Sequence, residues 1–172
     1  VAPYKRHPMI KLMNAMQYDA SGISPDDFKF GLSFLTKAVS LSRFQYIIKE
    51  YDNVRIAIVG LTADGLMKNE FAEMEKEVSI EKALLSAKRW IRYIHESEHP
   101  DFLIVIYHGG LYKINQTNTR HRKGSHEAEK IMKEIGVIDL MITAHQHQTI
   151  IGNDFETVYV QACLLYTSPS PR

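Results

Sequence analysis

The sequence predicts an α/β domain built from alternating strands and helices. Several segments carry apolar residues at intervals of three and four, as helices do, and short runs rich in Val, Ile and Leu stand between them. Strands that alternate with helices in this way are typical of a sheet covered by helices. We therefore expect one α/β domain, or a piece of one, in the 172 residues.

The composition excludes several other classes. Apolar residues make up 45% of the chain and charged residues 24%, which excludes a disordered or collagen-like protein. The 21 Lys and Arg nearly balance the 20 Asp and Glu, so we expect no nucleic acid polymer as a partner. No apolar run reaches the ~20 residues of a membrane-spanning helix, so no transmembrane segment is expected. The single cysteine, Cys163, permits no intrachain disulfide and does not identify a compartment.

Helical periodicity appears first in residues 8–17. Pro8 suits the first position of a helix, and the pattern predicts a buried face made of Met9, Ile10, Met13 and Met16. A longer helix is predicted over residues 79–96, with an apolar stripe formed by Ile80, Ala83, Leu84, Ala87, Ile91 and Ile94.

Two further helix starts are marked by capping residues. Ser24-Pro25-Asp26-Asp27 combines an N-cap serine, a proline at the first helical position and two carboxylates near the positive end of the helix dipole. A helix over residues 125–135 is predicted to begin with Ser125 as its N-cap.

The strands follow from β-branched runs between turn residues. Residues 44–51 and 54–61 form a predicted hairpin, because Asp52-Asn53 between them suits a tight turn. Residues 102–107 and 138–143 are continuous apolar strands, as expected in a buried parallel sheet. Histidine follows both of these strands.

Histidines at these strand ends are the candidate metal ligands. His108 follows one strand, and His145-Gln146-His147 follows the other. A His-x-His tripeptide is weak evidence alone, since chance gives roughly 0.4 occurrences in this chain. Ligands of open α/β sheets, however, bind beyond the carboxyl ends of the strands, and residues two apart on an extended backbone face one side. Neutral imidazole binds Zn, Mn and Fe ions well.

Each of these residues also has a structural interpretation. A histidine at a strand end can cap backbone groups or contact solvent instead of binding a metal. Gly109-Gly110 permits close approach of a bound anion, but it is equally consistent with a plain turn. The remaining histidines are predicted to be surface residues, namely His7, His95, His99, His121 and His126.

Three stretches carry a family resemblance, and together they are specific. They are Pro-Met-Ile-Lys-Leu-Met-Asn-Ala-Met-Gln-Tyr-Asp-Ala (8–20), Val-Arg-Ile-Ala-Ile-Val-Gly-Leu-Thr (54–62) and Ile-Asp-Leu-Met-Ile-Thr-Ala-His-Gln-His (138–147). With their surroundings they resemble the calcineurin-like metallophosphoesterases, in the branch of bacterial 5'-nucleotidases and 2',3'-cyclic-nucleotide 2'-phosphodiesterases. The resemblance covers most of residues 7–162 and implies a four-layer αββα sandwich, here incomplete.

The same resemblance implies a centre of two divalent metal ions, such as Mn, Zn or Fe. His108 and His145 would serve one ion and His147 the other, with Ala144 where the family has glycine. Asp26 stands at the position of the family's catalytic histidine, which it could replace only if its pKa were raised. The family's opening Asp-x-His and its bridging aspartate belong before residue 7, and its nucleoside-binding domain beyond the other end, so we expect a fragment of a longer protein.

The resemblance also implies a function for the parent protein. We expect a hydrolase in which a metal-activated hydroxide attacks the phosphorus of a nucleotide or another small phosphate ester. The fragment given by these 172 residues is itself expected to be inactive. The alternative is a non-catalytic or degenerate homologue that binds metal weakly at most. Members of this branch are commonly exported, so the resemblance implies a periplasmic, cell-surface or secreted location. Residues 1–162 are expected to form the partial domain, and residues 163–172 resemble a translated sequencing adapter; the oligomeric state is not predicted.

Overall fold

The computed structural model describes residues 8–42, 49–65, 79, 81–112 and 125–162. These residues form four α-helices, one 3₁₀ helix and a six-stranded sheet. The helices are α1 (Pro8–Ala15), the 3₁₀ helix (Pro25–Phe28), α2 (Leu32–Ser40), α3 (Ala83–Glu98) and α4 (Ala128–Ile135). The strands are β1 (Lys49–Tyr51), β2 (Val54–Thr62), β3 (Phe102–His108), β4 (Leu140–Thr143), β5 (Ile150–Asp154) and β6 (Thr157–Gln161).

The sheet is mixed, with the order β1-β2-β3-β4-β6-β5. Strands β2, β3, β4 and β6 are parallel, while β1 and β5 are antiparallel edge strands. The register pairs Thr62 with His108 and Tyr107 with Thr143. The carboxyl ends of β2, β3 and β4 therefore lie together at one edge of the sheet, and the predicted α/β class is confirmed.

The predicted hairpin is formed by β1 and β2. Asp52 and Asn53 have φ angles of 47° and 68°, which is the left-handed region that a two-residue hairpin turn of type I′ requires. Asn and Asp tolerate this region better than other non-glycine residues, so the sequence and the turn agree. Residues 44–48 of the predicted hairpin lie outside the described residues.

The hydrophobic core lies between the sheet and helices α3 and α4. Along β3, Leu103, Val105 and Tyr107 point to the helical side and are at most 2% exposed. Ala87 and Ile91 of α3 pack on the same core, as the predicted stripe requires. The helix begins at Ala83, later than predicted; Ser79 precedes it and Ile80 lies outside the described residues.

The opposite face of the sheet is apolar and only partly covered. Ile104 and Ile106 are half-buried there, and Ile142 on β4 is exposed. The loop before the 3₁₀ helix contacts this face, because the Thr62 hydroxyl donates a hydrogen bond to the Ile23 carbonyl at 2.7 Å. All strands of the described residues belong to one sheet, so the second sheet of a four-layer sandwich is not among them.

Two predictions about the helices are wrong. Helix α1 forms as expected, but it buries no residue, and Met9 and Met16 are 57% and 60% exposed. Periodicity identifies an apolar side of a helix but not whether another element covers it. Helix α4 begins after Glu127 and not after Ser125, because the buried Ser125 carbonyl accepts a hydrogen bond from the Gly110 N–H at 2.9 Å.

No helix in the described ranges is long and apolar enough to cross a membrane. The expected adapter-derived tail, residues 163–172, lies outside those ranges, as does most of the loop between His108 and α4.

Candidate metal centre at the carboxyl edge of the sheet

Two of the three predicted ligands lie side by side at this edge. His108 is the last residue of β3, and His145 follows β4, its parallel neighbour. The ring centroids of His108 and His145 are 6.0 Å apart, with the ring planes tilted by 57°. Both side chains are half-buried. The topology therefore brings these two imidazoles together, as expected from parallel strands with adjacent carboxyl ends.

The spacing of this pair can be compared with that of two imidazoles on one ion. A ligating nitrogen lies about 2.0–2.1 Å from a zinc ion and about 1.1 Å from its own ring centroid, which places two such centroids about 5.1 Å apart at the tetrahedral angle and about 4.5–6.3 Å apart for N–metal–N angles from 90° to 180°. The observed 6.0 Å falls within this interval. The centroid distance therefore allows a shared cation only at an N–metal–N angle wider than the tetrahedral one.

His147 differs from this pair. It is exposed, and its φ of 54° lies in the left-handed region, as does the φ of 77° at His145. The extended backbone expected for His145-Gln146-His147 is therefore wrong, and alternation along a strand no longer relates the two rings. In the part of the chain that the structure describes, no group of three or more His, Cys, Asp or Glu side chains is arranged to hold a metal ion. The role of His147 stays a prediction.

His126 belongs to this edge although the sequence indicated a surface residue. Its ring centroid lies 5.7 Å from that of His145, with the planes tilted by 40°, and its side chain is half-buried. The hydrogen bond between Gly110 and Ser125 brings the loop before α4 to the end of β3. The surface prediction for His126 was wrong, because a polar neighbourhood in sequence does not show which loops meet in space.

The glycines after His108 make room for side chains of the site. Neither Gly109 nor Gly110 has a positive φ, so no special backbone conformation requires them. A Cβ on Gly109 would lie 2.2 Å from Cζ of Tyr107, and a Cβ on Gly110 would lie 2.1 Å from Nδ1 of His126. The space beside this turn is therefore occupied by the chain's own rings.

Gln146, between the two histidines, joins the turns that follow β3 and β4. The Leu111 N–H donates a hydrogen bond to Oε1 of Gln146 at 2.7 Å, and Nε2 of Gln146 donates to the Leu111 carbonyl at 2.9 Å. A weaker backbone contact runs beside it, in which the Ala144 N–H donates to the Gly109 carbonyl at 3.3 Å. The sequence around Gln146 indicates no role for its side chain, because the side-chain partner, Leu111, lies 35 positions away in the chain.

Asp26 lies in the 3₁₀ helix, whose predicted cap is confirmed. The N–H and the hydroxyl of Ser24 both donate hydrogen bonds to Oδ2 of Asp27, at 2.7 and 3.1 Å. Asp26 is exposed and forms an ion pair with Lys29 at 2.7 Å. The hydrogen bond from Lys29 holds the pKa of Asp26 below its ordinary value, and the charge of His108 acts in the same direction. The raised pKa that an acid at this position would need is therefore not found.

Acidic groups lie behind the turn on its helical side. Burial raises the pKa of Glu127, and the charge of the buried Asp64 raises it further. Burial also raises the pKa of the Tyr107 hydroxyl, with contributions from the charges of Glu127 and Asp64. The side of the sheet edge next to α4 therefore carries acidic groups close to the end of β3.

The chain is similar in sequence to several known proteins. No protein-family model matches the chain. A 2',3'-cyclic-nucleotide 2'-phosphodiesterase/3'-nucleotidase of Yersinia enterocolitica is 21% identical over 179 residues, which cover 88% of this chain and 26% of the relative. A 5'-nucleotidase of Vibrio parahaemolyticus is 22% identical over 161 residues, which cover 83% of this chain and 28% of the relative.

The Bacillus subtilis protein YfkN matches in both sequence and structure. Its sequence, named a trifunctional nucleotide phosphoesterase, is 25% identical to this chain over 169 residues, which cover 83% of this chain and 11% of the relative. The crystal structure of calcineurin-like phosphoesterase YfkN superposes with a TM-score of 0.76 at 22% identity, over 91% of this chain and 57% of that one. The chain thus spans at most 28% of the length of these three curated relatives. It is a homologue of the bacterial nucleotide phosphoesterases and has the calcineurin-like phosphoesterase fold.

Proposed function

We propose that the protein represented by this chain is a divalent-metal-dependent phosphohydrolase of nucleotides. The observation that carries the proposal is the pair of half-buried imidazoles, His108 and His145, 6.0 Å apart at the carboxyl edge of the parallel strands. The names of the relatives support nucleotides as substrates. We assign either 5'-nucleotides or 2',3'-cyclic nucleotides as the substrate class. Water would convert a 5'-nucleotide into a nucleoside and phosphate, and it would open a 2',3'-cyclic nucleotide to a nucleoside monophosphate.

The chain's own residues have distinct parts in this proposal. His108 and His145 would hold a divalent cation, with His147 as the ligand of a second one in the two-ion centre implied by the resemblance. Such cations supply an activated hydroxide and neutralise the charge of the phosphate oxygens. His126 lies against His145 on the side of α4 and so borders the space in which a phosphate would bind.

A second candidate is a non-catalytic homologue that binds metal weakly. It is favoured by the lack, within the described ranges, of any group of three ligating side chains. Asp26 favours it too, since an ionised carboxylate paired with Lys29 is a poor proton donor for a leaving group. Two imidazoles without a bridging carboxylate form a weak site for two ions.

The two candidates are separated by activity and by metal binding. Hydrolysis of p-nitrophenyl phosphate and of 2',3'-cyclic nucleotides is measured with added Mn²⁺, on this chain and on the complete reading frame that contains it. For an enzyme, we expect His145→Ala to lower kcat/KM by at least about 100-fold, because it removes a metal ligand. His95→Ala, an exposed histidine of α3, is the matched control and is expected to leave turnover unchanged.

The outcomes are distinct. Turnover that is lost in His145→Ala and kept in His95→Ala supports the hydrolase. Turnover no higher than that of a His145→Ala His147→Ala variant, in both the chain and the complete protein, refutes it. Weak Mn²⁺ binding without turnover in either form then identifies the non-catalytic homologue.

The domain limits and the location are proposals based on the family resemblance. We propose that residues 1–162 are part of a longer metallophosphoesterase domain, that residues 163–172 are not native, and that the parent protein acts in the periplasm or at the cell surface. Recovery of the genomic reading frame tests all three. A start methionine directly before an Asp-x-His motif, without an apolar leader, would contradict export.

A further inference from the structure

Gln146 makes the two shortest hydrogen bonds between the turns that carry the candidate ligands, beside a longer backbone hydrogen bond from Ala144 to Gly109. Its side-chain amide forms two hydrogen bonds with the backbone of one residue, Leu111, at 2.7 and 2.9 Å. An amide side chain satisfies a backbone N–H and a backbone carbonyl at once because it carries both an acceptor and two donors. Gln146 thus acts across the sheet edge as a strand partner would.

Leu111 and Gln146, the two residues that this link joins, each lie in a turn that also contains a candidate histidine ligand. Leu111 lies three residues after His108 and is 1% exposed, so it is a fixed point of the core. Gln146 directly follows His145, whose φ of 77° shows that the backbone has left the strand. The ladder between β3 and β4 ends at Tyr107 and Thr143, so it does not hold the turns that follow.

The other end of the His145 turn is held as well. Nε2 of the buried Gln161 donates a hydrogen bond to the Gln148 carbonyl at 3.0 Å. The segment between β4 and β5 is therefore tied to β6 on one side and, through Gln146, to the loop after β3 on the other. Of these two ties, only the one through Gln146 relates His145 to His108.

The space around Gln146 leaves little freedom for its side chain. A Cβ on Gly110 would lie 2.6 Å from Cδ and 2.7 Å from Cγ of Gln146, so this side chain is packed on the Gly110 backbone. Asparagine is one methylene shorter and could not span the same distance. Glutamate could accept from the Leu111 N–H but would place a charge against the Leu111 carbonyl.

We infer that Gln146 is a positioning residue, which sets the separation of the His108 and His145 imidazoles by fixing the turn after β4 to the backbone at Leu111. Its consequence for cation affinity rests on the proposed function. The effect of Gln146 on the two rings does not rest on it, because both hydrogen bonds join atoms of the chain itself.

The test compares Gln146→Met with Gln148→Met in the full 172-residue chain. Methionine keeps the length of the side chain and removes both hydrogen bonds, and Gln148 is exposed in the same segment. In Gln146→Met we expect the Leu111 amide to exchange with solvent about tenfold faster. We also expect loss of the nuclear Overhauser contacts between the ring protons of His108 and His145, with both readouts unchanged in Gln148→Met.

Co²⁺ supplies a second readout. Outer-shell partners of metal ligands typically contribute about 10–100-fold in affinity, and we expect a loss in this range for Gln146→Met by titration of the visible Co²⁺ spectrum. Gln146→Glu keeps one hydrogen bond and is expected to fall between wild type and Gln146→Met in exchange rate. If Gln146→Met does not fold, the exchange rate and the ring contacts are measured in Gln146→Glu instead.

The result that overturns the inference is retention of the His108–His145 ring contacts in folded Gln146→Met. Faster exchange at Leu111 with unchanged ring contacts overturns it too, since Gln146 would then only stabilise the loop. Absence of Co²⁺ binding in the wild type counts against the proposed function instead, and in that case the ring contacts alone decide the positioning role.

Discussion

Substitution of Gly110 by alanine tests the packing of the candidate site directly. The added methyl group would stand 2.1 Å from Nδ1 of His126 and 2.6 Å from Cδ of Gln146, whereas ordinary van der Waals contact begins at 3.4 Å. The imidazole must therefore move by 3.4 − 2.1 = 1.3 Å and the amide by 3.4 − 2.6 = 0.8 Å. The backbone at Gly110 cannot retreat easily, because its N–H donates a hydrogen bond to the Ser125 carbonyl and its carbonyl accepts one from the N–H of Ala128, the first residue of α4.

The cost of the substitution has two parts. Overpacking of this kind costs about 1–3 kcal/mol. Movement of Gln146 also weakens its two hydrogen bonds with Leu111, each worth about 0.5–1.5 kcal/mol. With both hydrogen bonds lost the two parts add to about 2–6 kcal/mol, and we expect Gly110→Ala to lower the free energy of unfolding by an amount in this range.

The assay is equilibrium unfolding in urea, with a double-mutant cycle. Removal of the His126 ring takes away the closest contact, so Gly110→Ala His126→Ala is expected to recover at least about 1 kcal/mol relative to Gly110→Ala. Gly136→Ala is the control: its φ of 70° makes alanine unfavourable by about 1–2 kcal/mol, but nothing lies within 4 Å of the new methyl group. His126→Ala should therefore not rescue it.

The reasoning is refuted if Gly110→Ala changes the free energy of unfolding by less than about 0.5 kcal/mol. Additive effects of Gly110→Ala and His126→Ala would refute it equally, because residues in contact should couple by about 0.5–3 kcal/mol. Either result would mean that His126 does not occupy the space beside Gly110.

Three further predictions follow from burial and charge. Burial raises the pKa of the Glu127 carboxyl, so the folded chain binds the carboxyl proton more tightly than the unfolded chain does. Stability therefore falls as the pH rises above the ordinary glutamate range. In urea unfolding, Glu127→Gln should be more stable than wild type at about pH 7 but not at about pH 4. Lys29→Met should raise the pKa of Asp26 toward its ordinary value in a carboxyl NMR titration, with a stability change under about 1 kcal/mol for this exposed pair. Ile91→Ala should lower the free energy of unfolding in urea by about 2–5 kcal/mol, because Ile91 is buried. Leu85 of α3 is 52% exposed, and Leu85→Ala should lower it by under about 0.5 kcal/mol.

Local patterns in the sequence determined the elements of the fold. Runs of β-branched and other apolar residues predicted β2, β3 and β4, and the helical stripe predicted the buried side of α3. The Asp52-Asn53 turn and the Ser24 cap were also predictable, since each depends on neighbouring residues only. These features arise from backbone geometry and local hydrogen bonding, which a short segment carries with it.

The candidate site was only partly predictable for the same reason. His108 and His145 could be placed together, because parallel neighbouring strands bring their carboxyl ends to one edge whatever the loops do. The orientation of His147 could not be predicted from the sequence, because two residues with left-handed backbone angles turn the chain just after β4. The exposure of the α1 methionines could not either, since it depends on whether another element covers that helix.

The sequence by itself determined the fold class, the strand ends with histidine and the resemblance to nucleotide phosphoesterases. Only the tertiary structure decided that His126 packs against His145, that Gly109 and Gly110 leave room for Tyr107 and His126, and that Gln146 joins two separate turns. Apart from Gly109 and Tyr107, which are neighbours in one turn, these contacts join residues 16 to 35 positions apart in the chain. Their geometry depends on where two loops meet, a property that neither loop's own residues specify.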